Sequence, residues 1–293
     1  MSAGPGQLAE LHVHLEGTVR RELAISLSSG HGFAPPPPYE YSTLPGFLAI
    51  YGQVCRSMAT SGDFERVILE HGQTMAEQGI AYAEISFNPG LHPGEAWLDG
   101  VTRGRRRVKD ELGVEIAWLV EMVRGAPMED NERALEIALA TEAVVGMGLV
   151  GDESVSAVPL SALIARARDA GLGFMPHAGQ AGGPEVVREV VEVLGARRMA
   201  HGVSAVGDGE LLRLLAEREI CLCVCPSSNA RVGLRPDYKK LASAGVPLTV
   251  NTDDPAMVPT TLQRELELAE TQHGLNRDVL IAAAWEYRFK GRR

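Results

Sequence analysis

Eight short apolar segments rich in β-branched residues recur along the chain, and longer stretches with helical spacing separate most of them. They span 8–14, 80–87, 114–122, 144–150, 173–177, 198–203, 220–225 and 247–252. Strands that alternate with helices build a parallel sheet, because each crossover must be long enough to hold a helix. Eight is the number at which such a sheet closes into a (β/α)8 TIM barrel. The stretches 64–77, 131–143, 159–170, 185–194 and 210–217 carry apolar residues at intervals of three and four, as one buried helical face requires. Two more, 261–273 and 277–289, complete the ring. The run from Pro35 to Pro38 is a stiff extended insertion, expected as a loop near the first barrel mouth. No further repeat and no shift in composition divides the chain, so one domain over 1–293 is expected.

Charge limits the partners. Acidic residues outnumber basic ones by 38 to 28, for a formal charge of −10, a field that repels a phosphate backbone, so nucleic acid is not expected. The exception is the run Arg103, Arg105, Arg106, Arg107 and Lys109, read as the solvated face of a helix. No stretch of about 18 apolar residues occurs, and the first residues lack a basic segment followed by an apolar one. A cytoplasmic chain with no membrane partner is expected. Of four cysteines, Cys221, Cys223 and Cys225 share one face of a strand and are read as packing thiols, not as a disulfide framework.

The unusual polar residues fall at strand ends, and the carboxyl ends of barrel strands ring the active site. The first segment ends in His12-Val13-His14, the fifth in His177-Ala178-Gly179-Gln180, the sixth carries His201-Gly202, and the eighth ends in Asn251-Thr252-Asp253-Asp254. His12 and His14 are two apart on a strand, so both imidazoles project to one side and can share a metal at about 2.1 Å. Such a pair alone is more often incidental. Adding His177 and Asp253 makes a set of three imidazoles and one carboxylate that still admits a water. Zinc is the default metal for it, with iron or manganese also compatible. A metal so held lowers the pKa of bound water toward about 7, and His201 and the second Asp253 oxygen are available to orient the hydroxide and move its proton. Other chemistries lack their motifs. Cys225-Pro226-Ser227-Ser228-Asn229 has no second cysteine for the His-x-Glu, Pro-Cys-x-x-Cys layout, and no nucleophile elbow, phosphate loop or dinucleotide fingerprint follows a strand.

In this order, LHVHLEGTVR, AYAEISFNP, LVGDE, HAGQ, RMAHGV, CPSSN and NTDDPAM resemble the adenosine deaminase family of the amidohydrolase superfamily. The resemblance implies a zinc-dependent barrel acting on a small molecule, a nucleoside or heterocyclic amine. Hydroxide attacks C6 of an adenine derivative, and ammonia is released. It assigns one zinc ion to His12, His14, His177 and Asp253, and hydroxide orientation to His201. It also implies an Asp254 hydrogen bond to purine N7, a Gly151 backbone N–H bond to N3, and a place for Glu16 beside the ribose 5′ hydroxyl. Read from the residues alone, these last three are a helix cap, a turn glycine and a solvated acid.

Gln180 departs from the pattern, because the family's HAGE motif has a glutamate there that protonates purine N1. An amide can hydrogen-bond N1 but has no ionisable proton, so turnover of an adenosine-type substrate is expected to be impaired. Three readings stand open: an artificial glutamate-to-glutamine replacement, a zinc hydrolase whose own substrate needs no proton at that point, or a pocket that binds nucleosides without turnover. The chain is also short for this family around the insertion after the first strand and after the eighth. A more open mouth is therefore expected, with Asn88, Pro89 and His92 near its rim and His92 most simply a surface loop residue.

Overall fold

The computed structural model describes residues 7–92 and 94–291. Eight parallel strands stand side by side in sequence order with helices on the outside, a (β/α)8 TIM barrel. They are β1 (Leu8–His14), β2 (Ile80–Phe87), β3 (Glu115–Val123), β4 (Val144–Val150), β5 (Gly173–Ala178), β6 (Arg198–His201), β7 (Cys221–Val224) and β8 (Leu248–Val250). β1, β2 and β4 coincide with the expected segments, and β3 moves by one residue. β6, β7 and β8 are shorter than expected, and at the end of β8 polar side chains replace backbone partners. The Thr252 N–H goes to Glu10 Oε1 at 2.9 Å, and the Leu11 N–H is taken by Asn251 Oδ1 at 2.8 Å.

Between β8 and β1 the ring is closed at Asp253. Its N–H donates to His12 O at 3.1 Å, its C=O accepts the His14 N–H at 2.9 Å, and Val13 and Asp253 form an isolated parallel bridge. β1 carries one more residue than β2 between the pairs Glu10–Ala83 and Val13–Ile85, a bulge at Leu11 and His12 of the kind that re-aims side chains beside active sites.

Most of the core lies between strands and helices, and a smaller cluster that includes Leu11, Leu119, Met175 and Cys223 is joined by Trp285, Tyr287 and Phe289. Phe289 packs so closely on Gly173 that a Cβ there would lie 2.4 Å from its ring. The same ring stacks under Arg198, whose guanidinium is ion-paired to the buried Glu84.

Helices Arg21–Gly30, Leu44–Ser57 and Ala96–Leu112 were not delimited by the apolar spacing. The last carries the basic run, and its charges are used locally: Arg103 and Arg107 pair with Glu65, Arg105 and Lys109 with Glu115. The stretch 185–194 is the α-helix Pro184–Arg188 followed by the π-helical turn Glu189–Val193. All four cysteines are buried and free, with Cys225 just past the end of β7. Among the described residues no helix is long and apolar enough to cross a membrane.

Candidate functional site

His12 and His14 leave β1 on the same side, and β5 brings His177 to them. The three Nε2 atoms and Asp253 Oδ1 converge. His12 and His14 Nε2 each lie 3.2 Å from His177 Nε2 and 3.2 Å from Asp253 Oδ1. The opposite ring nitrogens are held by acceptors. His177 Nδ1 donates to Leu149 O at 3.2 Å, His12 Nδ1 faces Cys223 O at 3.4 Å, and His14 Nδ1 lies 2.8 Å from Glu121 Oε1 and 2.9 Å from Ser86 Oγ. Protons held at Nδ1 leave three lone pairs pointing at one another and at a carboxylate, an arrangement that a shared cation relieves. Atoms about 2.1 Å from one centre at roughly right angles would stand about 3 Å apart. The residues therefore fit a divalent ion.

Asp253 Oδ2 accepts from Ser228 Oγ at 2.6 Å and lies 3.8 Å from His201 Nε2. His201 is fully buried, and among the described residues neither of its ring nitrogens has a hydrogen-bond partner. Burial, followed by the competing pull of Asp253 and repulsion from His12 and His14, takes its pKa down to about 3, which leaves a neutral imidazole. His201 and Asp253 both have left-handed backbones, at φ 62° and 67°.

Asp254 is buried, and its Oδ1 has no partner among the described residues. Burial first, and then the neighbouring Asp253 charge, hold its carboxyl well above the usual range. Gly17 leaves room for it, since a Cβ there would sit 2.0 Å from Asp254 Oδ1. Gln180 is half-buried, and its Nε2 donates to Asn229 Oδ1 at 3.4 Å. Asn229 in turn donates to Tyr238 Oη at 2.8 Å. Gly151 is exposed at φ 104° beyond β4, packed against Arg124.

Glu16 and His92 depart from the solvated-acid and surface-loop readings, because both are buried and bonded to each other. Glu16 Oε2 also accepts from Tyr51 Oη at 3.0 Å, and Oε1 faces the Asn88 N–H at 3.4 Å. Pro89 begins a short 3-10 turn whose Asn88 cap accepts the Gly90 N–H. After β1 the helix Leu44–Ser57 supplies Tyr51 to Glu16, and Tyr41 Oη donates to Met257 O; His12, His14, Asp253 and Asp254 are each at most 7% exposed.

Several site residues were not singled out from sequence. Glu121 is a lone acid within the apolar run EIAWLVEMV, and that isolation was its signal. Ser228 and Asn229 lie in CPSSN, and Glu153 in LVGDE.

Residues 7–286 match the family model described as adenosine deaminase. The chain belongs to the adenosine deaminase family. Like that family it is a hydrolase acting on C–N bonds of cyclic amidines, within the amidohydrolase superfamily. Aminodeoxyfutalosine deaminase of Acidothermus cellulolyticus is 34% identical over 288 residues, covering 89% of this chain and 81% of its own. Adenine deaminase of Sinorhizobium medicae is 32% identical over 287 residues, covering 92% and 88%. The crystal structure of adenine deaminase from Arthrobacter aurescens matches with a TM-score of 0.90 at 25% identity, covering 97% of this chain and 94% of that one.

Proposed function

We propose that this chain removes the amino group of an adenine derivative by hydrolysis, with a single zinc ion held by His12, His14, His177 and Asp253. The observation that carries the reading is the convergence of three imidazole Nε2 atoms and one carboxylate oxygen beside a buried His201 with unused nitrogens. When bound, the ion supplies Lewis-acid activation of water at neutral pH.

The chain's own groups supply the rest. His201 and Asp253 Oδ2 accept hydrogen bonds from the attacking water and carry its proton toward the departing amino group, which leaves as ammonia. Asp254, whose carboxyl is raised by burial and whose Oδ1 has no partner among the described residues, hydrogen-bonds a ring nitrogen of the purine, N7 by the family pattern. By the same family pattern the Gly151 N–H is given to N3. Gln180 hydrogen-bonds N1 without protonating it, so addition at C6 proceeds without the acid–base help that is typically worth 10²–10⁴-fold.

Glu16 favours a compact substrate. Its carboxylate is engaged by His92 and Tyr51 and is closed to solvent, which argues against its use beside a ribose hydroxyl and for a free base. The adenine deaminases at 32% identity and at TM-score 0.90 favour the same choice, whereas the relative at 34% identity is an aminodeoxyfutalosine deaminase.

An ultraviolet assay of the zinc-loaded protein and its Gln180→Glu variant against adenine, adenosine, 2′-deoxyadenosine and N6-substituted adenines tests the reading. Turnover of adenine above the nucleosides, raised in the variant, is expected. Absence of turnover by either form with metal bound would overturn it and move the search to non-purine amidines.

A further inference from the structure

Beyond the metal cluster, the most heavily engaged carboxylate near the site is Glu153, just past β4. It is 6% exposed, and four successive backbone N–H groups of the loop after β5 converge on it. Oε2 accepts from Gly179 at 2.6 Å and from Gly182 at 3.0 Å, while Oε1 accepts from Gln180 and Ala181, each at 3.2 Å. The loop is shaped for this wrap. Gly179 has φ 71° and no room for a Cβ, which would lie 2.5 Å from Ser204 Oγ, and a Cβ on Gly182 would come within 2.9 Å of Glu153 Oε2. Run together as GQAGG, such amides form a concavity of the kind that binds anions, and here the protein's own carboxylate fills it.

We propose that Glu153 is the positioning residue for Gln180. Four charge-assisted bonds fix the backbone from which Gln180 springs, and Asn229 holds the far end of its side chain, so the amide is aimed from both ends. Glu153 itself touches no reacting atom and acts only through the loop. The inference rests on the reading that Gln180 faces the substrate.

A double-mutant cycle separates positioning from general support. Glu153→Gln preserves shape but turns one acceptor into an NH2 group facing N–H donors, and Glu153→Asp shortens the reach by one methylene. With adenine as substrate, each is expected to lower kcat by 10- to 100-fold, with KM within threefold and bound zinc equal to the parent. In a Gln180→Ala background the same changes are expected to cost less than twofold. Equal losses in both backgrounds, or zinc lost in step with activity, would overturn the proposal.

A second readout needs no turnover. The Gln180 side-chain amide resonance, assigned by its disappearance in Gln180→Ala, is expected to move toward the position of a free glutamine in Glu153→Gln. An unmoved resonance overturns the inference even if purines are deaminated, whereas a moved resonance in a protein that deaminates no purine upholds it while the substrate reading fails.

Discussion

His92 Nε2 lies 2.8 Å from Glu16 Oε1, and the two side chains are 1% and 0% exposed. A carboxylate that deep is tolerated only with a donor against it. Burial alone would raise the Glu16 pKa, but the His92 hydrogen bond and charge outweigh it and leave the group below its ordinary value. A depressed carboxyl contributes stability above its unfolded pKa and loses it as pH falls through the folded one. His92→Ala removes the strongest of these partners and leaves the buried Glu16 with only Tyr51 Oη and the Asn88 N–H against it, at a cost of about 2–4 kcal/mol. The melting-temperature gap between parent and variant should be widest near neutral pH and shrink toward pH 4 as Glu16 is protonated. A gap that widens on acidification would contradict this account of the pair.

A metal held by the converging Nε2 atoms would couple its binding to folding. Chelation of the purified protein should abolish activity and lower the melting temperature, and zinc should restore both as its free concentration rises. His12→Ala should bind zinc substoichiometrically by elemental analysis. Full retention of metal by that variant would remove His12 from the ligand set.

Gln180→Glu restores an ionisable proton in a side chain of nearly the same shape, with Asn229 as its neighbour. Turnover of adenine should rise by 10²–10⁴-fold, equivalent to about 3–5 kcal/mol of barrier, with a new pH dependence from the added carboxyl. A gain below threefold in purified, zinc-loaded enzyme would mean that the site was built around the amide and that its substrate brings its own proton.

His71, in the helix Ser61–Glu77, is buried, and its Nε2 has no partner among the described residues. Burial takes its pKa from 6.5 down to about 4. Between these values the unfolded chain binds the extra proton, so stability rises with pH across the window and is lost as pH falls through it. The full effect is about 3 kcal/mol. Chemical denaturation of His71→Leu at pH 4.5 and 6.5 should show a smaller stability difference than the parent. An unchanged difference would assign the acid sensitivity to other groups.

Much of the barrel was legible because β2 and β4 are mostly apolar runs that stop at Asn88 and Gly151, while β1 ends in the alternation His12-Val13-His14. Legibility failed where side chains did the work of the backbone. Glu10 and Asn251 take ladder positions at the end of β8, so the strand stops sooner than its composition suggests. The ligand set could be read because a two-residue spacing and strand-end positions are local facts. The burial of Glu16 and His92 could not, because 76 residues separate them and only the folded barrel brings a 3-10 turn beneath the helix Leu44–Ser57. Glu153 was visible only as part of a motif string, since its partners are backbone amides, which leave no trace in residue type.

Ala143, His201, Glu219 and Asp253 are the non-glycine residues with positive φ among those described, and two of them meet at the site. Each such position stores about 1–3 kcal/mol of strain. Glycine would relieve it, but only by deleting the imidazole or the carboxylate. Here, then, heat resistance and turnover pull in opposite directions. A selection for thermal stability alone would be expected to erode this pair early, and a thermostable catalyst built on this scaffold must find its gains elsewhere in the molecule.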